Sequence, residues 1–565
     1  MSNISGFLEC NGVNNFYDTK KMEDKLQTLL QHDISSVSEL ERWLVEERLL
    51  FAEVEELITS HQINFYKDTK NTNNRDLYMY DQTNIQPLLT KYSAEFDKKF
   101  SNCPFSKLLE DEKYGYMRKV RLEKSKMFNE KNISLTVREQ ELITKYREIL
   151  AGITIEWDGE TKSYSYIKAM LDSPNRQIRE RAWRALSESH TQVKPAVDHI
   201  MNELVKLRHQ MARNAGFSNY RDYIFKLKNR EYSIQDCYTF HESVERYVIP
   251  AWKRLAKLFE IELGIEKYRP WDLSPCTLQK SPFNNLNDLL DGVEKMLGKT
   301  DPYFQERFQY IRKQGLIDVG ERKNKAPGAV CFTLPKTKNV FIYSNFSPSF
   351  NAINALIHEL GHAIHFYKQF ANESSMQEQY LREEVAELYS HSLELMLMDK
   401  LDIFYPEHNE CKKAQREQMH RAFSMLISPL AGDLFQHWLY TNPYHSPEER
   451  DAKYLEISKR FQYSSVDILG FEAEIGTRWI ESFHYFQYPF YNIEYAISQL
   501  GALQLFQIYR ENPEKAITFF KEGASMDWNL PIAEIYRNTG VNFDFSEQTI
   551  KNISEVIINM IEDLK

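Results

Sequence analysis

Glycine and proline are scarce in this chain, 19 of each in 565 residues, where about 7% and 5% are usual. With so few breakers and long heptad-like stretches, the composition argues for a mainly α protein. Cysteine is sparse as well. The six residues (Cys10, Cys103, Cys237, Cys276, Cys331 and Cys411) lie far apart with no C-x-x-C pair, a pattern that excludes a zinc ribbon and a disulfide framework. No run of 18 apolar residues exists, so no membrane-spanning segment is expected. The opening "MSNISGFLECNG" lacks both a basic and an apolar leader region, so we expect no signal peptide and a cytoplasmic protein. Excess positive charge is missing too: 71 Lys and Arg face 81 Asp and Glu, for a net −10. That balance disfavours nucleic acid as a partner.

What is present is mostly helical pattern. The length suggests two to four domains with ample apolar mass for large cores. Residues 17–150 read as successive amphipathic helices, broken by the Asn- and Lys-rich "KDTKNTNNRD" at 67–76. The pattern resumes from 178 to a stop at Gly216. The texture changes once, at 326–346, where "PGAVCFTL" and "NVFIYSNF" flank "PKTKN" and predict a small hairpin or sheet. Ser347-Pro348 then offers a cap and first-turn proline for the next helix. Residues 350–565 are helical again, apart from a loop at 442–451. No Ser/Gly linker marks a boundary, and the split we expect, an N-terminal helical lobe over 1–195 and a second lobe over 196–565, is approximate and rests on the family resemblance set out below.

The most informative stretch is "NALIHELGHAIHFY", 354–367. Glu359 is the only Asp, Glu, Lys or Arg between Lys338 and Lys368, in a chain that is 27% charged. A buried lone carboxylate is costly without a metal or another partner. On a helix, His358 and His362 share one face about 6 Å apart along the axis, which suits two imidazoles on one zinc ion. Glu359 cannot easily join them as a ligand, but it can reach a water on that ion and act as general base. His365 falls on the same face about 10 Å from His358, too far to ligate without breaking the helix. Gly361 costs the helix about 1 kcal/mol relative to Ala, which a helix or loop passing close by would explain.

A third ligand must come from elsewhere. In "LREEVAELYSHSLELMLM", 381–398, Glu383, Glu384, Glu387, His391 and Glu394 form a polar stripe beside Val385, Leu388, Leu395 and Met396. Such stripes are commonly solvated faces, and spacing does not choose among Glu383, Glu384 and Glu387. Farther on, "ESFHYFQYPFYNIEYAISQLGALQLF" (481–506) is dense in aromatics. It holds His484, Tyr491 and Tyr495, whose side chains can donate to a developing oxyanion.

Together these features resemble the thimet oligopeptidase and oligoendopeptidase F family of zinc metallopeptidases, most closely its oligoendopeptidase F-like branch. "LDSPNRQIRERAWRAL" (171–186) and "RNAGFSNYRDY" (213–223) resemble the family's helical part before the catalytic core. "KAPGAVCF" (325–332) resembles the strand leading to its site, and "HELGHAIH" its metal helix. The resemblance implies Glu387 as the third zinc ligand, 29 residues after His358 and followed seven later by Glu394, a supporting residue; seven after Glu384 stands His391 instead. It also implies oxyanion roles for His484, Tyr491 and Tyr495, and substrate binding along the strand at Gly328 and Ala329. The implied fold is a two-lobed helical ellipsoid of gluzincin type, with a deep channel and a small β-sheet next to the zinc helix.

The resulting expectation is a zinc endopeptidase, one Zn²⁺ per chain, whose Glu359-activated zinc-bound water attacks the scissile carbonyl of short unfolded peptides. No nucleic acid or membrane partner is expected, and a monomer is favoured. Within the enzyme class, a dipeptidyl carboxypeptidase would instead need a cation for the substrate carboxylate. A catalytically silent helical binding protein is the alternative from another class, against which the intact His358, Glu359 and His362 speak.

Overall fold

The structure, a computed structural model, is described for residues 19–273, 278, 281–345, 348–372 and 382–564. It is 75% helical with small sheets, the mainly α architecture expected from the shortage of breakers. The chain divides into two compact units. One gathers Met1–Ile133, Ser281–Phe404 and Ile508–Asn542; the other gathers Ser134–Lys280, Tyr405–Gln507 and Phe543–Lys565. Residues 195 and 196, near which a boundary was expected, lie inside one unbroken helix, Arg176–Asn214, with Pro195 in its interior. A continuous helix provides no linker, and each unit is assembled from three separate stretches of sequence.

Among the described residues, five short strands interrupt the helices. In the second unit β1 (Thr154–Trp157) and β2 (Glu160–Ser163) form a hairpin. Asp158 and Gly159 join them, both at positive φ (53° and 79°), the requirement of a type I′ turn. In the first unit β3 (Ile317–Asp318), β4 (Gly328–Leu334) and β5 (Asn339–Asn345) lie in the order β3-β5-β4. The β4–β5 pair is antiparallel, from Gly328 opposite Asn345 to Leu334 opposite Asn339. It is the hairpin that the two β-branched and aromatic runs predict, extended by the parallel β3. Lys325 ties the sheet together: its buried ammonium donates to the Asp318 carboxylate at 2.9 Å and to the Ser344 carbonyl at 2.6 Å. β4 is an edge strand, as is β3 on the opposite side.

After β5 comes the helix Phe350–Ala371. Its cap is Ser349, whose hydroxyl accepts from the Ala352 amide at 3.3 Å; the expected cap, Ser347, lies outside the described residues. The helix is apolar nearly all round, with Ile353, Leu356, Ile357, Leu360, Ala363 and Ile364 buried, as a helix inside a core must be. A second helix, Glu383–Met396, packs along it and is buried from Glu384 to its end. The 508–542 stretch of the same unit clasps this second helix. Tyr536 donates to the Glu384 carbonyl at 2.7 Å, Tyr389 meets Thr539 at 3.0 Å, and Arg382 donates to the carbonyls of Trp528 and Leu530.

Candidate metal centre

The two packed helices of the first unit bring four of the expected residues together. His358 and His362, four residues apart on Phe350–Ala371, have ring centroids 4.8 Å apart and nearly perpendicular planes. Glu387 reaches across from the second helix, its Oε2 3.3 Å from His358 Nε2 and 3.7 Å from His362 Nε2. One donor atom from each of these three residues lies within 4.8 Å of the other two. Glu394 grips the far side of His358, accepting at 2.7 Å from Nδ1. That bond turns Nε2 toward Glu387, the arrangement by which a carboxylate orients a metal-ligating imidazole. Glu384 belongs to no such group among the described residues.

The polar stripe of the second helix is therefore not a solvated face. Glu387 and Glu394 are buried within a few ångströms of one another's imidazole partners. Burial alone would raise the Glu387 carboxyl, but His362 and His358 outweigh it and hold it below the usual carboxylate range. Burial likewise opposes charge on His358, yet Glu387 and Glu394 drive its pKa well upward. The two carboxylates thus call for positive charge at this point, and a divalent cation held by His358, His362 and Glu387 fits that donor set.

Glu359 is not among the converging donors, but the charges of His358, Glu387 and Glu394 all reach it. It is 5% exposed, and burial, with only partial relief from His358, pushes its carboxyl up to about 7. The backbone amide of Cys331 in β4 lies on its side of the strand and tempers that rise. Because N–H and C=O groups alternate sides along an antiparallel strand, the amide of Ala329, two residues before Cys331, faces the same outer edge. Gly328 pairs inward with Asn345 and is exposed, with φ of 106°.

Gly361 has the close neighbour anticipated for it. A Cβ there would lie 2.4 Å from the Ser390 Cα and 2.9 Å from the Tyr389 carbonyl oxygen, both backbone atoms of the second helix. The same Ser390 donates to Glu387 Oε2 at 3.2 Å, so the close approach sets the height of Glu387 over the histidines. His365 is packed, not ligating: the Trp528 indole donates to its Nε2 at 3.3 Å and the Tyr389 ring lies 4.4 Å away.

His484, Tyr491 and Tyr495 meet one another in the second unit. His484 Nε2 lies 3.5 Å from the Tyr495 hydroxyl, and the two tyrosine rings are 4.9 Å apart. Tyr491 immediately precedes the helix Asn492–Glu511 and Tyr495 lies in its first turn. The chain enters that helix through Phe490, a non-glycine residue at φ 60°, a conformation that surroundings must enforce. Gln436 accepts from the Phe490 amide at 2.8 Å, and Arg230 donates to the Phe490 carbonyl and, at 2.8 Å, to Glu494.

Sequence reasoning missed three of these supports. His391 was counted only as part of a stripe, yet its Nδ1 lies 3.5 Å from Glu394 Oε1 and its Nε2 3.9 Å from Glu387 Oε2; its position four residues after Glu387 was the available signal. Arg230 and Gln436 are remote in sequence from Tyr491 and carried none.

Fold and site together define a helical protein with a half-buried histidine–carboxylate centre able to hold a divalent metal. Residues 169–555 match Peptidase family M3, and the chain belongs to that family. It is 23% identical to the oligopeptidase PepF of Bacillus subtilis over 389 residues, 67% of this chain and 56% of that protein. It is 21% identical to an oligoendopeptidase F homolog of Mycoplasma genitalium, over 60% of this chain and 58% of the relative. The chain spans somewhat over half the length of these two relatives. A solved structure of PZ peptidase A with an inhibitor matches with a TM-score of 0.89 at 22% identity, covering 97% of this chain and 99% of that one, so the fold is shared.

Proposed function

We propose that this chain is a zinc-dependent endopeptidase that hydrolyses short, unfolded peptides. The observation that carries the reading is the convergence of donor atoms from His358, His362 and Glu387 within 4.8 Å, with Glu359 buried one residue along. Zinc held by those three side chains would polarise the scissile carbonyl and acidify a water. Glu359 takes the proton of the attacking water and delivers it to the leaving nitrogen. Burial raises its basicity toward neutrality, which suits a group that must both accept and release a proton. The Cys331 amide lies near the carboxylate, so a peptide added along the outer edge at Ala329, with Gly328 leaving room beside it, would run past the base. Glu394 fixes the His358 ring. Tyr491, Tyr495 and His484 donate to the carbonyl oxygen as it becomes negative; their role rests on the family resemblance. The relatives named for oligopeptide cleavage support the substrate class, and the net charge of −10 supports peptides over nucleic acid as the partner.

The test is Glu359→Gln. It should abolish turnover of a quenched fluorescent peptide while metal analysis still finds the cation bound. Full activity in this variant, or in chelated wild-type protein, would overturn the proposal. Short peptides should be cut and folded globular proteins spared.

A further inference from the structure

A second group of metal-competent side chains lies in the interior of the second unit, where none of the residues assigned above takes part. The helices Ile234–Ser243 and His408–Thr441 pack there. The first presents Cys237 and His241, the second Asp433 and His437. Each pair is spaced four residues apart and so shares one helix face. All four are at most 2% exposed. One donor atom each from Cys237, Asp433 and His437 lies within 4.8 Å of the other two. Asp433 Oδ2 is the focus: His241 Nε2 lies 3.0 Å from it and His437 Nε2 3.1 Å.

The polar atoms of this cluster are poorly satisfied for so buried a place. Asp433 Oδ1, His241 Nδ1 and His437 Nδ1 have no hydrogen-bond partner. Cys237 makes only a weak 3.4 Å contact to the Ser233 carbonyl. Buried polar atoms without partners call for an explanation, an unplaced ion among them. Burial and the neighbouring Asp433 push the Cys237 thiol up, so as a ligand it would have to give up its proton; thiolate and carboxylate would then together match the charge of a divalent cation. Sulfur with imidazole and a single carboxylate is a zinc donor set, unsuited to calcium or magnesium. Around the cluster stand aromatic rings, with Tyr238, Phe490 and Phe225 centred 5.0, 5.3 and 5.6 Å from the His437 ring.

We propose that Cys237, His241, Asp433 and His437 hold a second zinc ion, structural rather than catalytic. Bond lengths of about 2.0–2.3 Å ask the donors to draw together by roughly an ångström, within reach of side-chain rotation on two fixed helices. The Cys237 thiol proton is released to solvent as the Zn–S bond forms. Since Phe490 packs on His437 and its amide is held by Gln436, one residue before His437, the ion would brace the turn that leads to Tyr491.

Cobalt(II) distinguishes this site from the first, which has no sulfur ligand. The full-length protein, stripped with a chelator and titrated with Co²⁺, should bind two equivalents and develop a near-ultraviolet thiolate-to-cobalt charge-transfer band. Cys237→Ser should lose the band and one equivalent. A His358→Ala/His362→Ala variant should lose the other equivalent and keep the band, so failure of the peptidase reading and failure of this one give different results. The wild-type spectrum needs no substitution and stands even if a buried variant misfolds. A wild-type protein that binds a single equivalent without the band overturns the proposal, as does a band that survives Cys237→Ser and disappears in Cys331→Ser.

Discussion

At the scale of single residues, the site separates groups that look alike in sequence. Glu384 and Glu387 are both buried glutamates on one helix, but only Glu387 has an oxygen within 4 Å of both imidazoles. Glu387→Ala should therefore lose metal affinity far more than Glu384→Ala, as measured by competition with a chromogenic chelator; the reverse ranking would unseat the ligand assignment. The tyrosines make a kinetic prediction. A preorganised donor to an oxyanion is commonly worth about 10²–10³ in rate, or roughly 2.7–4 kcal/mol. Tyr495→Phe and Tyr491→Phe should each lower kcat by about that factor with KM little changed, because the bond is made chiefly in the transition state. Wild-type turnover in both variants would return the cluster to a packing role.

At the scale of elements, the spacing between the two site helices governs the geometry. Alanine is a better helix former than glycine by about 1 kcal/mol, so an isolated helix would gain from Gly361→Ala. Here the new methyl would meet the Ser390 backbone at 2.4 Å, and backbone cannot swing aside as a side chain can. Overpacking of this kind costs about 1–3 kcal/mol. The variant should be less stable in urea unfolding, and its metal affinity should fall as Ser390 and Glu387 are pushed back. A variant at least as stable as wild type, with metal affinity intact, would mean that the helices part freely. The β1–β2 hairpin makes a different point. Its Asp-Gly pair between "TIEW" and "ETKS" is a strong local turn signal, but both strands are only four residues long and lie within helical surroundings that mask their alternation.

At the scale of the whole molecule, the interleaving of the two units has a consequence for cutting the chain. A fragment of residues 196–565 starts inside the Arg176–Asn214 helix and lacks the 37–133 segments of the first unit. It should not fold as an autonomous lobe, and should show no cooperative thermal transition by circular dichroism. A sharp transition would restore the single boundary. Buried Arg208 illustrates why such cuts fail: it joins Glu139 at 2.6 Å, the Tyr440 hydroxyl at 2.6 Å and the Tyr485 carbonyl at 3.1 Å, residues spread over more than 300 positions. No described helix is long and apolar enough to cross a membrane.

The sequence by itself determined what depends on local chemistry and short spacing. Scarce breakers and heptad-like patterning dictated a helical chain, and the β-branched and aromatic runs on either side of "PKTKN" dictated the hairpin of β4 and β5. His358, Glu359 and His362 were legible because a helix places residues four apart on one face whatever the chain does elsewhere. Tertiary structure decided what depends on distance through space. Spacing alone leaves Glu383, Glu384 and Glu387 open and the family resemblance favours Glu387; the packing of the second helix against Gly361 supplies the physical reason, bringing Glu387 within 4 Å of both imidazoles. Only the clasp of residues 508–542 turns a charged stripe into an interior surface. The Cys237, His241, Asp433 and His437 cluster joins two helices almost 200 residues apart, and no local pattern encodes that meeting. Contacts between remote segments are set by how whole faces bury their apolar area, a sum over many residues that no short motif records.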